Sequence, residues 1–356
     1  MMEEQPYQII KGIGSDEELE RYRACFVSNG SEKTIGLLKW NHQQNLQGVQ
    51  SIYYAIGNAG EIAAIYTYLP VVFTCMGSIV NAMQSFDTLT DKDHRGKGLF
   101  IKLASKIEAE EKQKSNELVY GFPNENSVHG FVKKLKFNYF GEVPFLIKPF
   151  GISYFIKRIL KSKTESFSDS NLVMVIDEKL KNKYPGSIKE ITNFDELYDQ
   201  FYQQISKQIK IGVNRDAAYM NWRYVKKPHE IYSLYGYYEN GELKGVIIFT
   251  LKNKHGGKIG YLMELLFDEK NEAAGKHLLQ FCLQSFKKNK ADLVLCWCFD
   301  HSFNYNVIRK SGFYNFPEKL RPQKLGFIAK TLNSNNIKDI YNLKNWYLSY
   351  SDSDTV

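Results

Sequence analysis

The stretch DKDHRGKGLF, Asp91 to Phe100, places an arginine, two lysines and two glycines between two predicted elements. The residues before it, SFDTLT, are typical of a strand, and those after it, IKLASKIEAEEKQK, are typical of a helix. The first backbone N–H groups of a helix have no acceptor within the helix. Glycines leave these groups accessible and permit a left-handed backbone, so the loop predicts a nest of donors for an anion such as a pyrophosphate.

Two well-known phosphate loops do not match this stretch. The Walker pattern requires a Ser or Thr after Gly-Lys and a different glycine spacing, and the loop has neither. The dinucleotide pattern requires a third glycine, but Ile101 occupies that position. The loop therefore predicts an anion site of another kind.

The composition is that of a soluble globular protein, and the length suits two domains of ordinary size or one large one. The chain has 356 residues, of which 43% are hydrophobic and 24% charged. Its formal net charge of +8 is compatible with anionic ligands such as phosphates, nucleotide sugars or RNA. Five scattered cysteines lack a metal-ligand spacing, which favours core thiols, no metal and a reducing, cytoplasmic location.

The termini and hydropathy predict no membrane span. The N-terminal sequence MMEEQPYQII has no basic n-region and no apolar core, so we expect no signal peptide. No apolar run reaches the length of a transmembrane helix. The basic amphipathic stretch KPFGISYFIKRILKSK is compatible with weak peripheral membrane contact, although a connector between domains is the favoured interpretation.

The chain contains two diverged copies of one α/β unit. LLKWNHQQNLQGVQSIYYAIGNAGEIAAIYTYLP resembles YMNWRYVKKPHEIYSLYGYYENGELKGVIIFT, with Trp40 against Trp222. Further along, Phe137 matches Phe313. The predicted organisation is an N-terminal domain at 1–147, a linker at 148–185, a second domain at 186–331 and a C-terminal tail at 332–356.

The second copy has lost the glycine loop but kept the helix that follows it. In the sequence comparison, Arg95, Gly96, Lys97 and Gly98 fall on Asn271 to Ala274 within DEKNEAAGKHLL. If the loop served only to start a helix, the second copy would need it equally. We therefore expect the ligand at the first copy alone.

The stretch HRGKGL resembles the [Arg/Gln]-x-x-Gly-x-[Gly/Ala] signature of GNAT acyltransferases. Arg95 and Gly98 match, whereas Phe100 stands where a small residue is usual. With LLKWNH, YGFPNENS and YMNWRYVKKP, the whole chain resembles the tandem-GNAT proteins encoded among bacterial surface-polysaccharide genes. The resemblance implies an α/β fold of two tandem units. Each would hold a mixed, mainly antiparallel sheet with flanking helices and a splayed pair of parallel strands.

The resemblance also implies acetyl-CoA, or another acyl-CoA, as the co-substrate. Its pyrophosphate would lie in the glycine loop, and its pantetheine arm would follow the strand from Met83 to Thr90, which separates from the strand at 118–122. The residues that the resemblance assigns to the cofactor are Thr88, Leu89, Arg95, Gly96, Lys97, Gly98, Leu99, Phe100, Asn124 and Ser127.

Acyl transfer to an amine requires an uncharged amine and a proton for the departing thiolate. Asp87 is the first candidate base because it lies near the expected thioester, and its alternative role is a structural acceptor for the loop. Glu125 and His129 are further candidates, with a solvated surface role as the alternative. Many GNAT proteins have a tyrosine acid where this chain has Val132, so water or another residue would have to protonate the thiolate.

The repeated Trp-x-His and Trp-Arg-Tyr features involve Trp40, His42, Trp222 and Arg223. Aromatic and basic groups of this kind could line an acceptor cleft for a sugar or nucleotide. The favoured interpretation of the two tryptophans is that they anchor the cores of both copies, since both copies keep them.

The sequence therefore predicts an N-acyltransferase that uses acetyl-CoA and a small-molecule amine acceptor, with an amino sugar of a surface-glycan precursor as the candidate. A Fem-type aminoacyl-tRNA-dependent transferase is an alternative, but such enzymes need no CoA pyrophosphate loop, so nucleic acid is not the expected partner. A non-catalytic acyl-CoA-binding protein is a third possibility.

Overall fold

The computed structural model describes residues 7–151, 154, 169–318, 321, 324–333 and 337–353. The chain forms two compact units. The basic part of the amphipathic stretch, at 155–168, lies outside the described residues. In the described part of the chain, every helix is too short or too polar to cross a bilayer.

Residues 8–142 supply six strands and four α-helices, and a strand near the end of the chain returns to the same sheet. The strands are β1 (Gln8–Gly12), β2 (Ser51–Ile56), β3 (Ile62–Cys75), β4 (Ser78–Thr90), β5 (Leu118–Gly121), β6 (Asn138–Glu142) and β16 (Gly326–Thr331). The helices are α1 (Asp16–Ser28), α2 (Ile35–His42), α3 (Leu99–Gln113) and α4 (Glu125–His129).

The second unit repeats this arrangement with its own strands and helices. Its strands are β7 (Phe145–Pro149), β8 (Ser170–Leu172), β9 (Ser187–Glu190), β10 (Ile211–Val213), β11 (Ser233–Glu239), β12 (Glu242–Lys254), β13 (Gly257–Phe267), β14 (Leu293–Trp297) and β15 (Tyr314–Asn315). Its helices are α5 (Glu178–Lys181), α6 (Glu196–Ile205), α7 (Ala217–Met220), α8 (Glu272–Lys288) and α9 (Tyr305–Lys310).

Both sheets are mixed and mainly antiparallel, which confirms the predicted fold class. The first has the order β1-β2-β3-β4-β5-β16-β6, and the second has the order β15-β7-β14-β13-β12-β11-β9, with β8 on β12. Each contains a parallel pair, β4 with β5 and β13 with β14. Helix α3 connects the first pair, and α8 connects the second.

The structural units are not contiguous segments of the chain, unlike the division expected from the repeat. β7, at the end of the first copy, pairs with β14 in the second sheet. β16, near the end of the chain, pairs with β5 and β6 in the first sheet. The units therefore comprise 1–142, 227–229 and 325–345, and 143–226, 230–324 and 346–356. The backbone pairing of β7 and β16 decides to which unit each of these strands belongs. The sequence pattern within one copy does not indicate that pairing.

The parallel pair in the first sheet separates halfway along β4. Pairing with β5 runs from Ala82–Leu118 to Ser85–Gly121, whereas β4 continues to Thr90 with β3 as its partner. Gly121 permits the close approach at the last pair, because a Cβ there would lie 3.1 Å from the Cβ of Ser85. The final residues of β4 thus present one backbone edge that β5 does not cover.

The same irregularity interrupts both sheets. In the first, Tyr66 pairs with Thr88 and Tyr68 with Ser85, so two residues of β4 oppose one residue of β3. In the second, Ile247 pairs with Leu265 and Phe249 with Leu262. These are β-bulges, which often re-aim a side chain beside a functional site. Aligning the two bulges places Asp87 of the first unit against Glu264 of the second.

Helix α3 buries an apolar stripe against the sheet. Leu103, Ala104 and Ile107 are fully buried, and Phe100 packs against the same core from its edge. Burying a large aliphatic side chain contributes about 1.5–3 kcal/mol, so this stripe fixes the helix, and hence its first turn, on the sheet.

The cysteines are core thiols. All five are free and buried. Among the residues that the structure describes, no group of three or more His, Cys, Asp or Glu side chains could hold a metal ion.

Candidate functional site

The glycine loop lies between the end of β4 and the start of α3. Residues Lys92–His94 form one 3-10 turn, and Gly98 is the N-cap of α3. Gly96 and Gly98 have φ angles of +78° and +72°, in the left-handed region that disfavours other residues. A Cβ on either glycine would meet no atom within 4 Å. The glycines therefore serve the backbone conformation and leave an open face.

The open face is lined by helix donors. The N–H of Lys102 donates to Gly98 O at 3.1 Å as the first helical bond. The N–H groups of Leu99, Phe100 and Ile101 precede that bond and have no acceptor within the helix. Arg95 and Lys97 add exposed cationic side chains. N–H groups at the positive end of this fifteen-residue helix suit an anion, and the binding of an anion by this loop stays a prediction.

Asn29, a residue that sequence reasoning missed, anchors the start of the loop. Its side chain donates to Asp91 Oδ2 at 2.8 Å and accepts from the N–H of Lys92 at 3.0 Å. The N–H of Asp91 donates to Ala63 O at 2.9 Å. The hydrogen bond from Asn29 lowers the pKa of Asp91, so its carboxylate stays charged and holds the turn. A polar residue at the end of α1 gave no sequence signal for this contact.

Tyr7, which lies just before β1, contacts the other side of the loop. The Tyr7 hydroxyl lies 3.0 Å from His94 Nδ1, and the Lys97 ammonium lies 5.7 Å from the centre of the Tyr7 ring. His94 Nε2 also lies 3.5 Å from Glu61 Oε1. These contacts fix the residues immediately before the glycines.

Phe100 departs from the signature, and the structure accounts for it. Its ring packs edge-to-face against Tyr66 and Phe131, with centroids 5.6 and 5.1 Å away. A Cβ on Gly130 would lie 2.7 Å from Phe100 Cε1. A glycine on the facing segment thus makes room for the large residue, which the loop sequence alone could not indicate.

The strand residues assigned to the cofactor lie on the separated part of β4. Thr88 and Leu89 follow the last pair with β5, and both are half-buried. The Thr88 hydroxyl donates to Phe86 O at 3.2 Å. The backbone edge here runs directly toward the glycine nest, so an extended ligand could pair with the strand and place its phosphates at the loop.

Asn124 and Ser127 form the N-terminal cap of α4. Asn124 Oδ1 accepts from the N–H groups of Asn126 and Ser127 at 3.1 and 3.2 Å, and Ser127 Oγ donates to Asn124 O at 3.2 Å. Glu125 and His129 lie on the same short helix with exposed side chains. The structure shows the capping role, and the cofactor and base roles of these residues stay predictions.

Asp87 sits in the bulge of β4 with two close partners. Lys33 Nζ lies 2.6 Å from Oδ1, and the Tyr22 hydroxyl donates to Oδ2 at 2.8 Å. The Asp87 and Lys33 side chains are only 8% and 10% exposed. Tyr22 also lies 3.3 Å from the hydroxyl of Thr67. These described partners belong to the sheet and the helical layer, and none of them is a loop N–H group.

His42 lies beside this group. Its ring centre is 5.5 Å from that of Tyr22, it is 4% exposed, and neither ring nitrogen has a hydrogen-bond partner among the described residues. Burial, helped by the Lys33 charge, lowers the pKa of His42 to about 3, so the ring is neutral. We call Tyr22, Lys33, His42, Thr67 and Asp87 the Asp87 cluster.

The tryptophans of the repeated feature are buried in both units. Trp40 is 4% exposed under the Lys227 ammonium, which lies 5.6 Å from its ring centre, and Trp222 is 7% exposed. Arg223 is also buried, and donates to the carbonyls of Ser351 and Ser353.

Comparisons with known proteins agree with this geometry. Residues 15–138 match the model of a family described as an acetyltransferase (GNAT) domain. Comparison with curated protein sequences finds no significant match.

Solved structures share the fold over most of the chain. A conserved protein from Enterococcus faecalis described as a probable N-acyltransferase is 13% identical, with 92% of this chain and 72% of that chain covered and a TM-score of 0.58. A GCN5-related N-acetyltransferase from Anabaena variabilis is 14% identical, with coverage of 92% and 73% and a TM-score of 0.59. N-myristoyltransferase from Saccharomyces cerevisiae with bound myristoyl-CoA is 11% identical, with coverage of 92% and 80% and a TM-score of 0.60.

The sequence match covers the loop, the bulged strand and α3, and the structural matches extend the same fold to the second sheet. Residues 15–138 therefore match a GNAT acetyltransferase domain, and the chain as a whole has a tandem GNAT-like α/β fold.

Proposed function

We propose that the protein transfers an acetyl group from acetyl-CoA to the amino group of a sugar in a surface-glycan precursor. The observation that carries the proposal is the open nest at Gly96 and Gly98, next to the uncovered edge of β4. A pyrophosphate suits the nest, and an extended amide-bearing arm suits the edge. The yeast structural neighbour, solved with bound myristoyl-CoA, supports an acyl-CoA as donor.

The reaction forms a C–N bond and breaks the thioester C–S bond. The acceptor nitrogen attacks the carbonyl carbon, whose oxygen can be polarised by a backbone N–H of the uncovered strand edge. The nitrogen then loses a proton to a base, for which Asp87 is the candidate, and the CoA thiolate takes a proton from water or another residue. No metal is needed for these steps.

The choice of amine decides how much work the base must do. A lysine-like amine with a pKa near 10.4 is almost entirely protonated at pH 7, which costs about 4–5 kcal/mol before attack. An amine with a pKa near 8 costs only about 1–1.5 kcal/mol. An amino sugar is of the second kind, so a single carboxylate can suffice.

The test combines calorimetry with a thiol-release assay. The protein should bind acetyl-CoA and should release free CoA thiol with at least one member of a panel of amino-sugar nucleotides. Binding without thiol release would instead indicate a non-catalytic acyl-CoA-binding protein. Failure to bind acetyl-CoA would favour a donor carried on tRNA. Thiol release with polyamines or peptide amines alone would overturn the sugar acceptor.

A further inference from the structure

The second unit repeats the ion pair of the Asp87 cluster. Glu264 occupies the equivalent bulge in β13, and Arg215 Nε donates to Glu264 Oε1 at 2.7 Å. Lys33 and Arg215 stand in the same place, since each immediately precedes the N-cap of the next helix, Thr34 or Asp216. A basic residue thus holds an acid in the bulge of both units, although only the first unit keeps the glycine loop.

In the second unit this pair binds a segment of the protein's own chain. The hydroxyls of Ser349 and Ser351 donate to Glu264 Oε1 at 2.7 and 2.5 Å. Asp352 accepts from Arg215 Nη2 through both oxygens, at 2.9 and 2.8 Å. The charged side chains are completely buried. We call the basic residue and the bulge acid of each unit, together with the side chains around them, the frame of that unit. The second unit shows what such a frame binds: hydroxyl donors at the acid and a carboxylate at the cation.

A second basic residue also binds this C-terminal segment. Arg223 donates to the carbonyls of Ser351 at 3.1 Å and Ser353 at 3.0 Å. The repeat places Arg223 against Asn41 and the adjacent Tyr224 against His42. The frame of the second unit thus carries two cations and one acid, and Asp352 balances the surplus positive charge.

The first unit has the same frame with a different charge. Lys33 and Asp87 cancel, Asn41 replaces the second arginine, and the low pKa of His42 leaves its ring neutral. A carboxylate brought into this buried group would have no surplus cation to meet, which is costly in a dry site. The frame therefore suits an occupant that brings hydroxyl groups and no acid.

His42 supplies an independent indication of a ligand. The neutral imidazole has one N–H donor and one acceptor, and both are buried without a protein partner in the described chain. A buried polar group without a hydrogen bond is destabilising, and a hydroxyl of a bound molecule can supply the missing bond.

We infer that the Asp87 cluster is the acceptor subsite of the first unit and that it takes a hydroxyl-bearing amine with no carboxylate beside it. Asp87 receives the donor groups of the acceptor, as Glu264 receives the serine hydroxyls, and His42 binds a neighbouring hydroxyl. This inference rests on the proposed function and narrows its acceptor class.

The experiment compares two amines that differ in one group, glucosamine and 2-amino-2-deoxyglucuronic acid. Each is titrated calorimetrically into protein saturated with CoA, which cannot turn over. We expect glucosamine to bind at least tenfold more tightly. Equal affinities, tighter binding of the acid, or binding of neither amine would overturn the inference. Thiol release with acetyl-CoA is measured separately, so a failure of the proposed function is distinguishable.

Two substitutions locate the binding. His42→Phe keeps an aromatic ring and removes its hydrogen-bonding nitrogens. It should weaken glucosamine binding about tenfold while acetyl-CoA affinity stays the same. His42→Gln retains a donor and an acceptor and should restore part of the affinity. Lys39→Met is the matched control, because Lys39 lies on the same helix but pairs with the exposed Asp16. Unchanged glucosamine affinity in folded His42→Phe would place the amine elsewhere.

Discussion

Gly98→Glu should abolish most of the affinity for acetyl-CoA. The substitution places a carboxylate at the N-cap of α3, on the face where a Cβ meets open space. That carboxylate would repel the pyrophosphate and compete for the same N–H groups. Losing two or three charge-assisted hydrogen bonds of about 1.5–3 kcal/mol each removes about 3–6 kcal/mol. The dissociation constant should therefore rise by roughly two to four decades.

Backbone strain must be separated from this charge effect. Gly98 has a φ of +72°, so any residue with a Cβ costs about 1–2 kcal/mol there. Gly98→Ala carries the strain without the charge and should lose clearly less affinity than Gly98→Glu. Melting temperatures of the variants show whether the loss lies in binding or in folding.

The matched control lies in the second unit. The sequence comparison sets Gly98 against Ala274, but the buried stripes of the helices set Leu103 and Ile107 against Leu278 and Cys282. That register shifts the comparison by one residue and makes the exposed Ala273 the counterpart of Gly98. Ala274 is completely buried, so a glutamate there would damage the core.

Calorimetric titration with acetyl-CoA should give one site per chain, and Ala273→Glu should leave it unchanged. One site is expected because the second unit starts α8 directly after a 3-10 turn, without a left-handed glycine pair. Two sites per chain, or a larger loss from Ala273→Glu than from Gly98→Glu, would show that the cofactor belongs to the other half.

Three further outcomes follow from the contacts described. Asp87→Asn should lower kcat about 10²–10⁴-fold while the affinity for acetyl-CoA stays the same. Because the substitution also removes the ion-pair partner of Lys33, turnover is compared per folded molecule. Unchanged turnover would assign Asp87 a structural role. Gly130→Leu should lower the free energy of unfolding of the first unit by about 1–3 kcal/mol in chemical denaturation, because the new side chain would displace Phe100. An unchanged free energy of unfolding would contradict that packing. Burial disfavours the charge of Glu110, but hydrogen bonds from Lys11, Lys114 and Tyr53 lower its pKa to about 2. The stability that the charged carboxylate provides should therefore be present above about pH 4.5 and be lost as the pH falls toward 2. Glu110→Gln should flatten that part of the stability–pH curve, and an unaltered slope would count against the pairing.

Some features of the site were readable from the sequence because their causes are local. Glycines are needed at positions 96 and 98 because the backbone there adopts positive φ angles. The cap of α1 is a hydrogen bond between the Ser15 side chain and a nearby backbone N–H group. The stripe of α3 follows from helical spacing. The lost loop of the second copy could be read from the repeat, although the register of its helix was displaced by one residue.

Other features depend on pairs that are distant in the chain. Lys33 and Asp87 are 54 positions apart, and neither residue indicates the other in sequence. Asn29 reaches Asp91, and Gly130 makes room for Phe100, through the packing of separate elements. The exchange of β7 and β16 between sheets is decided by which backbone edges pair, because strand patterns specify a strand but not its neighbour.

The amino-acid sequence by itself determined the glycine loop at the start of α3, the duplicated unit and the loss of that loop in its second copy. These depend on backbone conformations and periodicities set by neighbouring residues. Only the tertiary structure decided that Asp87 is held by Lys33 and Tyr22, and that the nearby His42 has no hydrogen-bond partner among the described residues. It also decided that the equivalent side chains of the second unit bind Ser349 to Asp352. The bulge register and the path of the C-terminal segment bring these side chains together, and both are set by long-range backbone pairing and burial.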